Sequence, residues 1–146
     1  MKTAWILIAF LSGVILPLQA GLNARMSKAI ASPVYAALIS FVVGALAIGL
    51  FVLITRQPVS WSGVKTAPPV VWIAGLLGAF YVTAVVLAFP RIGASLTFGL
   101  IVGGQLLMAL LLDHFKVLVA QPHPITIWRV IGAILIVAGV VLIRKF

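Results

Sequence analysis

Five long apolar stretches, separated by short polar or turn-forming segments, account for most of the chain. Each approaches the roughly 20 residues that an α-helix needs to cross a bilayer. The breaks predict spans at about residues 4–23, 33–55, 69–89, 92–113 and 127–144. Arg25 and Lys28 close the first. Ser32 and Pro33 open the second, as a serine N-cap followed by proline at the first helical position. Arg56, Gln57 and Pro58 end it, and a polar, turn-rich segment over 59–68 follows. Pro90 and Arg91 leave a very tight link between the third and fourth spans. Asp113, His114 and Lys116 close the fourth, and the segment 120–124, with Pro122, His123 and Pro124, reads as a loop. Arg144 and Lys145 anchor the end of the fifth. Trp61 and Trp72 fall where aromatic residues collect at membrane interfaces. The expected fold is an all-α integral membrane protein, with residues 1–146 forming a single five-helix transmembrane domain with short loops.

Composition agrees. Of the 146 residues, 64% are hydrophobic and 8% charged, whereas soluble domains have about 45–50% and 25%. The absence of cysteine excludes a disulfide scaffold and thiolate metal sites. The net charge of +9 brings nucleic acid to mind, but the basic residues are scattered singly or in pairs and form no groove. Lys2 followed by an apolar run and Leu18-Gln19-Ala20 imitates a signal peptide. Such leaders rarely precede a wholly membrane-embedded chain, so the segment is read as the first span.

Charge placement adds a less usual feature. With five spans, Lys2, Arg56, Lys65, Lys116 and Arg129 fall on one side of the membrane, and Arg25, Lys28, Arg91, Arg144 and Lys145 on the other. Cationic residues normally favour the cytoplasmic side. A tie of five to five predicts insertion in both orientations, and hence an antiparallel pair.

Polar side chains inside spans usually face a bundle interior or a cavity. Ser12, Gln19 and Asn23 share one face of the first helix, and Pro17 among them removes a backbone hydrogen bond and favours a kink. Either a cavity wall or helix–helix hydrogen bonding accounts for them. Tyr81 in the third span, with Ser95, Thr97 and Gln105 in the fourth, allows the same two readings. Asp113 is the only side-chain carboxylate. It is therefore a candidate for ion coupling together with His114, or a partner in a structural ion pair with Arg129 or Lys116. Arg25 and Arg91 read first as topology anchors, with attraction of an anionic solute to the mouths of an antiparallel pair as the alternative. Gly99, Gly103 and Gly104 form a small-residue face suited to close helix approach, and point to a dimer contact. Gly75, Gly78, Gly132 and Gly139 flatten other helices in the same way. Two dispersed histidines and one aspartate make no zinc ligand set, and no cofactor is expected.

Several stretches carry a likeness: Leu16-Pro17-Leu18-Gln19-Ala20-Gly21-Leu22-Asn23-Ala24-Arg25, Gly78-Ala79-Phe80-Tyr81, the run from Gly103 and Gly104 through Gln105 to Asp113 and His114, and the part of the last span between Gly132 and Gly139. Through them the chain resembles the YdcZ-type family, of unknown function, within the drug/metabolite transporter superfamily. The resemblance covers essentially the whole chain. It implies a five-helix half of a ten-helix fold whose two repeats are inverted. Such a half must pair with an inverted copy of itself or with a homologous five-helix half. The small multidrug exporters of the same superfamily carry a glutamate in the first helix, and this chain has no glutamate.

The expected function is secondary transport of a small solute by an inverted dimer working by alternating access, in a bacterial-type inner membrane. The expected partners are the lipid bilayer, a second half and the solute, with no nucleic acid. The alternative is a pore-forming or structural membrane protein without coupled transport. An enzyme is not expected, since no P-loop, nucleophile elbow or paired-carboxylate constellation is present.

Overall fold

The computed structural model describes residues 2–146, and among them every regular element is helical. The elements are α1 (Lys2–Ala29), α2 (Pro33–Thr55), a short α3 (Trp61–Thr66), a 3-10 turn (Pro69–Trp72) leading into α4 (Ile73–Ile92), α5 (Ala94–Phe115) and α6 (Ile127–Lys145). Five of these are long and apolar enough to cross a membrane, the third such span including the 3-10 turn. The chain falls into two compact units, residues 1–91 and 92–146.

The helix starts follow the sequence pattern closely. Ser32 caps α2, its Oγ accepting from the Tyr35 amide at 3.3 Å, and Pro33 follows where a missing N–H costs nothing. Thr126 caps α6 in the same way, its hydroxyl accepting from the Arg129 amide at 3.4 Å. The helix ends depart from the pattern. Helix α1 does not stop at Arg25 but continues to Ala29. A charge ends the apolar layer a helix can occupy, not the helix itself. Twenty-eight residues extend about 42 Å, well past a hydrocarbon core of about 30 Å, so the basic turn emerges still helical. Within the polar segment 59–68, Ser60 caps the single helical turn α3 by accepting from the Gly63 amide at 3.2 Å.

Pro90 and Arg91 are not the link between α4 and α5. Both lie inside the last turn of α4, where Arg91 Nη1 donates back to the Leu87 carbonyl at 2.5 Å. The break is Gly93, the N-cap of α5, at φ 80° and ψ 165°. That backbone region is essentially reserved for glycine. A Cβ at Gly93 would meet no neighbouring atom, so a substitution there is penalised through the backbone alone. Gly93→Ala is expected to destabilise the chain by about 1–2 kcal/mol. Denaturation in mixed micelles measures it, and an unchanged midpoint would contradict the backbone argument.

Within the first unit, α1 packs on α2. The buried positions are Ala20, Asn23 and Ala24 on α1 and Ala36 and Ala37 on α2. Small side chains let membrane helices approach closely where no hydrophobic effect separates protein from lipid. The Phe89 ring of α4 comes within 3.7 Å of where a Cβ of Gly21 would stand. Within the second unit, α5 packs on α6, with Thr97, Gly103 and Leu110 facing Ala133 and Val140 as the buried set. The large apolar side chains of the five spans point outward for the most part, as a bilayer requires.

Candidate functional site

The first unit holds a cavity of 330 Å³ lined by Gln19 of α1, by Ser40, Phe41, Gly44, Ala45 and Ile48 of α2, and by Val82 of α4. Its size is at the lower end of the range for small-molecule sites, about 300–1,000 Å³. Gln19 Nε2 donates to Ser40 Oγ at 3.5 Å. That is longer than a well-formed hydrogen bond, about 2.7–3.2 Å, so both groups keep most of their capacity for another partner. Ser40 also differs from other hydroxyls in the spans. Ser12 donates to the Ile8 carbonyl at 2.8 Å, Thr55 to that of Phe51 at 2.7 Å, and Thr97 to that of Gly93 at 2.6 Å. Those three satisfy themselves on their own helices, while Ser40 turns to Gln19.

The other sequence candidates scatter. Ser12 shares the face of Gln19 but is committed to its own backbone. Asn23 is buried at 9% exposure, against the small residues of the α1–α2 contact. Tyr81 directly precedes Val82 on α4, and its hydroxyl is buried without a hydrogen-bond partner. In the second unit Thr97 is buried and bonded to Gly93, and Gln105 is exposed on α5. The structure therefore brings Gln19 together with Ser40, a residue absent from the sequence candidates. Ser40 is one hydroxyl in the middle of a 23-residue apolar helix. The available signal was that position within the span.

Asp113 pairs with Arg129, Oδ2 to Nη2 at 2.5 Å, and Lys116 takes no part. Arg129 Nη1 also donates to the His123 carbonyl at 2.7 Å, which fastens the loop before α6. His114 is exposed and stacks edge-on against Phe115, with ring centroids 5.1 Å apart. Of the glycine face, Gly99 is occupied within the chain. A Cβ there would stand 2.9 Å from Val140 Cγ2. At Gly103 and Gly104 a Cβ would meet nothing within 4 Å, and both line an apolar groove of 270 Å³ together with Leu107, Val137 and Val141. A second groove of 640 Å³ between α5 and α6 is lined wholly by apolar residues, from Leu107 to Ala138.

Five membrane-crossing helices, three of which line a small, half-open cavity with one polar pair, define the class: a multi-pass membrane protein with a transporter-like build. The chain belongs to the family described as "Putative inner membrane exporter, YdcZ", whose model matches residues 4–142. It is 32% identical over 144 residues to the inner membrane protein YdcZ of Escherichia coli (strain K12), covering 94% of each chain. No solved structure matches it. Family and relative together make it a multi-pass protein of the bacterial inner membrane.

Proposed function

We propose that the chain is half of a secondary exporter of a small solute, and that two copies in opposite orientations form the working unit. The observation that carries this reading is the Gln19–Ser40 cavity in a chain of an exporter family. Polar side chains in a membrane helix are costly and are usually retained at a pathway. Inverted repeats with a site near the midplane are a general transporter design, working by rocking one repeat against the other. A five-helix chain supplies one repeat, and the even split of its ten basic residues between the two sides is what a sequence without a fixed orientation would carry. The same site would be presented once from each copy, so exchange between equivalent states follows. This reading assigns the chain no catalytic step.

Phe146 fused to a reporter active only outside the cytoplasm, and separately to one fluorescent only inside, is expected to give strong signal in both. Signal from one fusion alone would remove the self-paired form of the proposal and direct the search to a homologous half of fixed opposite orientation.

A further inference from the structure

We infer that the Gln19–Ser40 cavity recognises an uncharged amphipathic solute through an amide or hydroxyl group, and rejects both cations and anions. The inference rests on that cavity being the transport site of the proposed exporter, and it specifies what the site takes.

The lining decides the charge of the occupant. Gln19 and Ser40 are its polar members, and Phe41, Gly44, Ala45, Ile48 and Val82 supply the rest. Among the described residues none of the lining groups is ionisable. The chain's one carboxylate is already paired with Arg129. The cavity is a half-open groove whose Gln19, Phe41 and Ile48 are exposed, so an ammonium or carboxylate bound there would meet an apolar lining with no opposite charge to offset the hydration it gives up. A neutral solute escapes that penalty.

The polar pair decides the rest. Gln19 offers an amide N–H and a carbonyl, and Ser40 offers a hydroxyl that both donates and accepts. Their mutual contact at 3.5 Å uses little of this capacity. A solute group that donates and accepts side by side, such as a primary amide or an alcohol, can replace that long contact with two short ones. Phe41, Ile48 and Val82 then cover its apolar body. The open space around Gly44, where a Cβ would meet nothing within 4 Å, leaves room for that body beside α2.

The test is a titration of the full chain in lipid nanodiscs, following the side-chain amide resonances of its glutamines. The Gln19 signal is assigned by its loss in Gln19→Leu. Three probes of equal chain length are compared: hexanamide, hexylammonium and hexanoate. Hexanamide is expected to shift the Gln19 resonance saturably, and the two ions to leave it in place at the same concentration. Gln105, exposed on α5, should stay unmoved and also report that each variant is folded. Ser40→Ala should weaken hexanamide binding about five-fold, the worth of one neutral hydrogen bond. Gly44→Val, whose Cβ would meet no atom within 4 Å and whose methyl groups take up space in the cavity, should abolish it. An equal shift with either ion, an equal shift at Gln105, or no shift with any probe overturns the inference. The titration reads occupancy alone. Binding of hexanamide without flux across vesicles would therefore count against the exporter reading, while flux of a charged solute through this cavity would count against the inference.

Discussion

Gly99→Leu is expected to cost about 3 kcal/mol of stability and to part α5 from α6. Even a methyl group at position 99 would approach Val140 Cγ2 to 2.9 Å and Cγ1 to 3.1 Å. Val140 is β-branched and buried at 9% exposure. In a helix such a side chain holds one strongly preferred rotamer, so it cannot swing away as a lysine or methionine tip would. The backbones must separate instead, and the contacts around Thr97, Gly103 and Ala133 are lost with them. Adding Val140→Ala should restore about half of the loss, because it removes the atoms that a side chain at 99 meets. Unfolding in mixed detergent micelles, followed by circular dichroism, measures both. Equal stability of Gly99→Leu and the parent would show that α5 and α6 do not meet there. A destabilised Gly99→Leu with no recovery in the double variant would point to a clash elsewhere.

Asp113→Ala is expected to cost about 2–3 kcal/mol, more than an exposed ion pair would. Two features raise its worth. The pair is partly withdrawn from water, with side-chain exposures of 33% for Arg129 and 16% for Asp113. Each charge is also at the unfavourable end of its own helix. Asp113 is in the last turns of α5, where the backbone dipole repels an anion, and Arg129 is in the first turn of α6, where it repels a cation. The pair cancels both. Removing the carboxylate leaves the guanidinium uncompensated at the positive end of α6. Asp113→Leu combined with Arg129→Leu should therefore be more stable than Asp113→Leu alone, although the bond from Arg129 to the His123 carbonyl is lost. The same micelle unfolding checks this, and a double variant less stable than the single one would show that the charge pairing is not what Asp113 contributes.

The spans were legible because apolar runs of this length have few other uses, and capping chemistry placed the start of α2 well, while the Thr126 cap of α6 went unread. The ends were harder for a physical reason. Arg25 and Lys28 mark where the bilayer stops, but a helix leaving the membrane keeps its hydrogen bonds, so α1 runs on to Ala29. Pro90 looks like a break, yet α4 carries it in its last turn and runs on to Ile92. The real break needs a backbone conformation that only Gly93 supplies. Asp113 was legible as an ion-pair partner because the chain has no other carboxylate, while the choice of Arg129 over Lys116 depends on how the loop returns. The Gln19–Ser40 pairing was out of reach. Residues 21 apart in sequence meet only once the α1–α2 contact is known, and that contact is made mostly by alanines, which carry no register signal.

The unequal lengths of the spans bear on the membrane that suits this chain. Helix α6, at 19 residues, extends about 28 Å, barely the thickness of a typical hydrocarbon layer. It has no length to spare for tilting, since its last turn already carries Arg144 and Lys145. Helix α1 has about two turns in reserve and can lean or stand proud of the surface. A thicker bilayer is therefore absorbed by α1 and resisted by α6, whose terminal charges would be drawn toward the acyl chains. Hydrophobic mismatch of this kind sorts proteins among membranes. In this chain the shortest span sets the upper limit, so lipid thickness becomes a control on stability that acts first through α6.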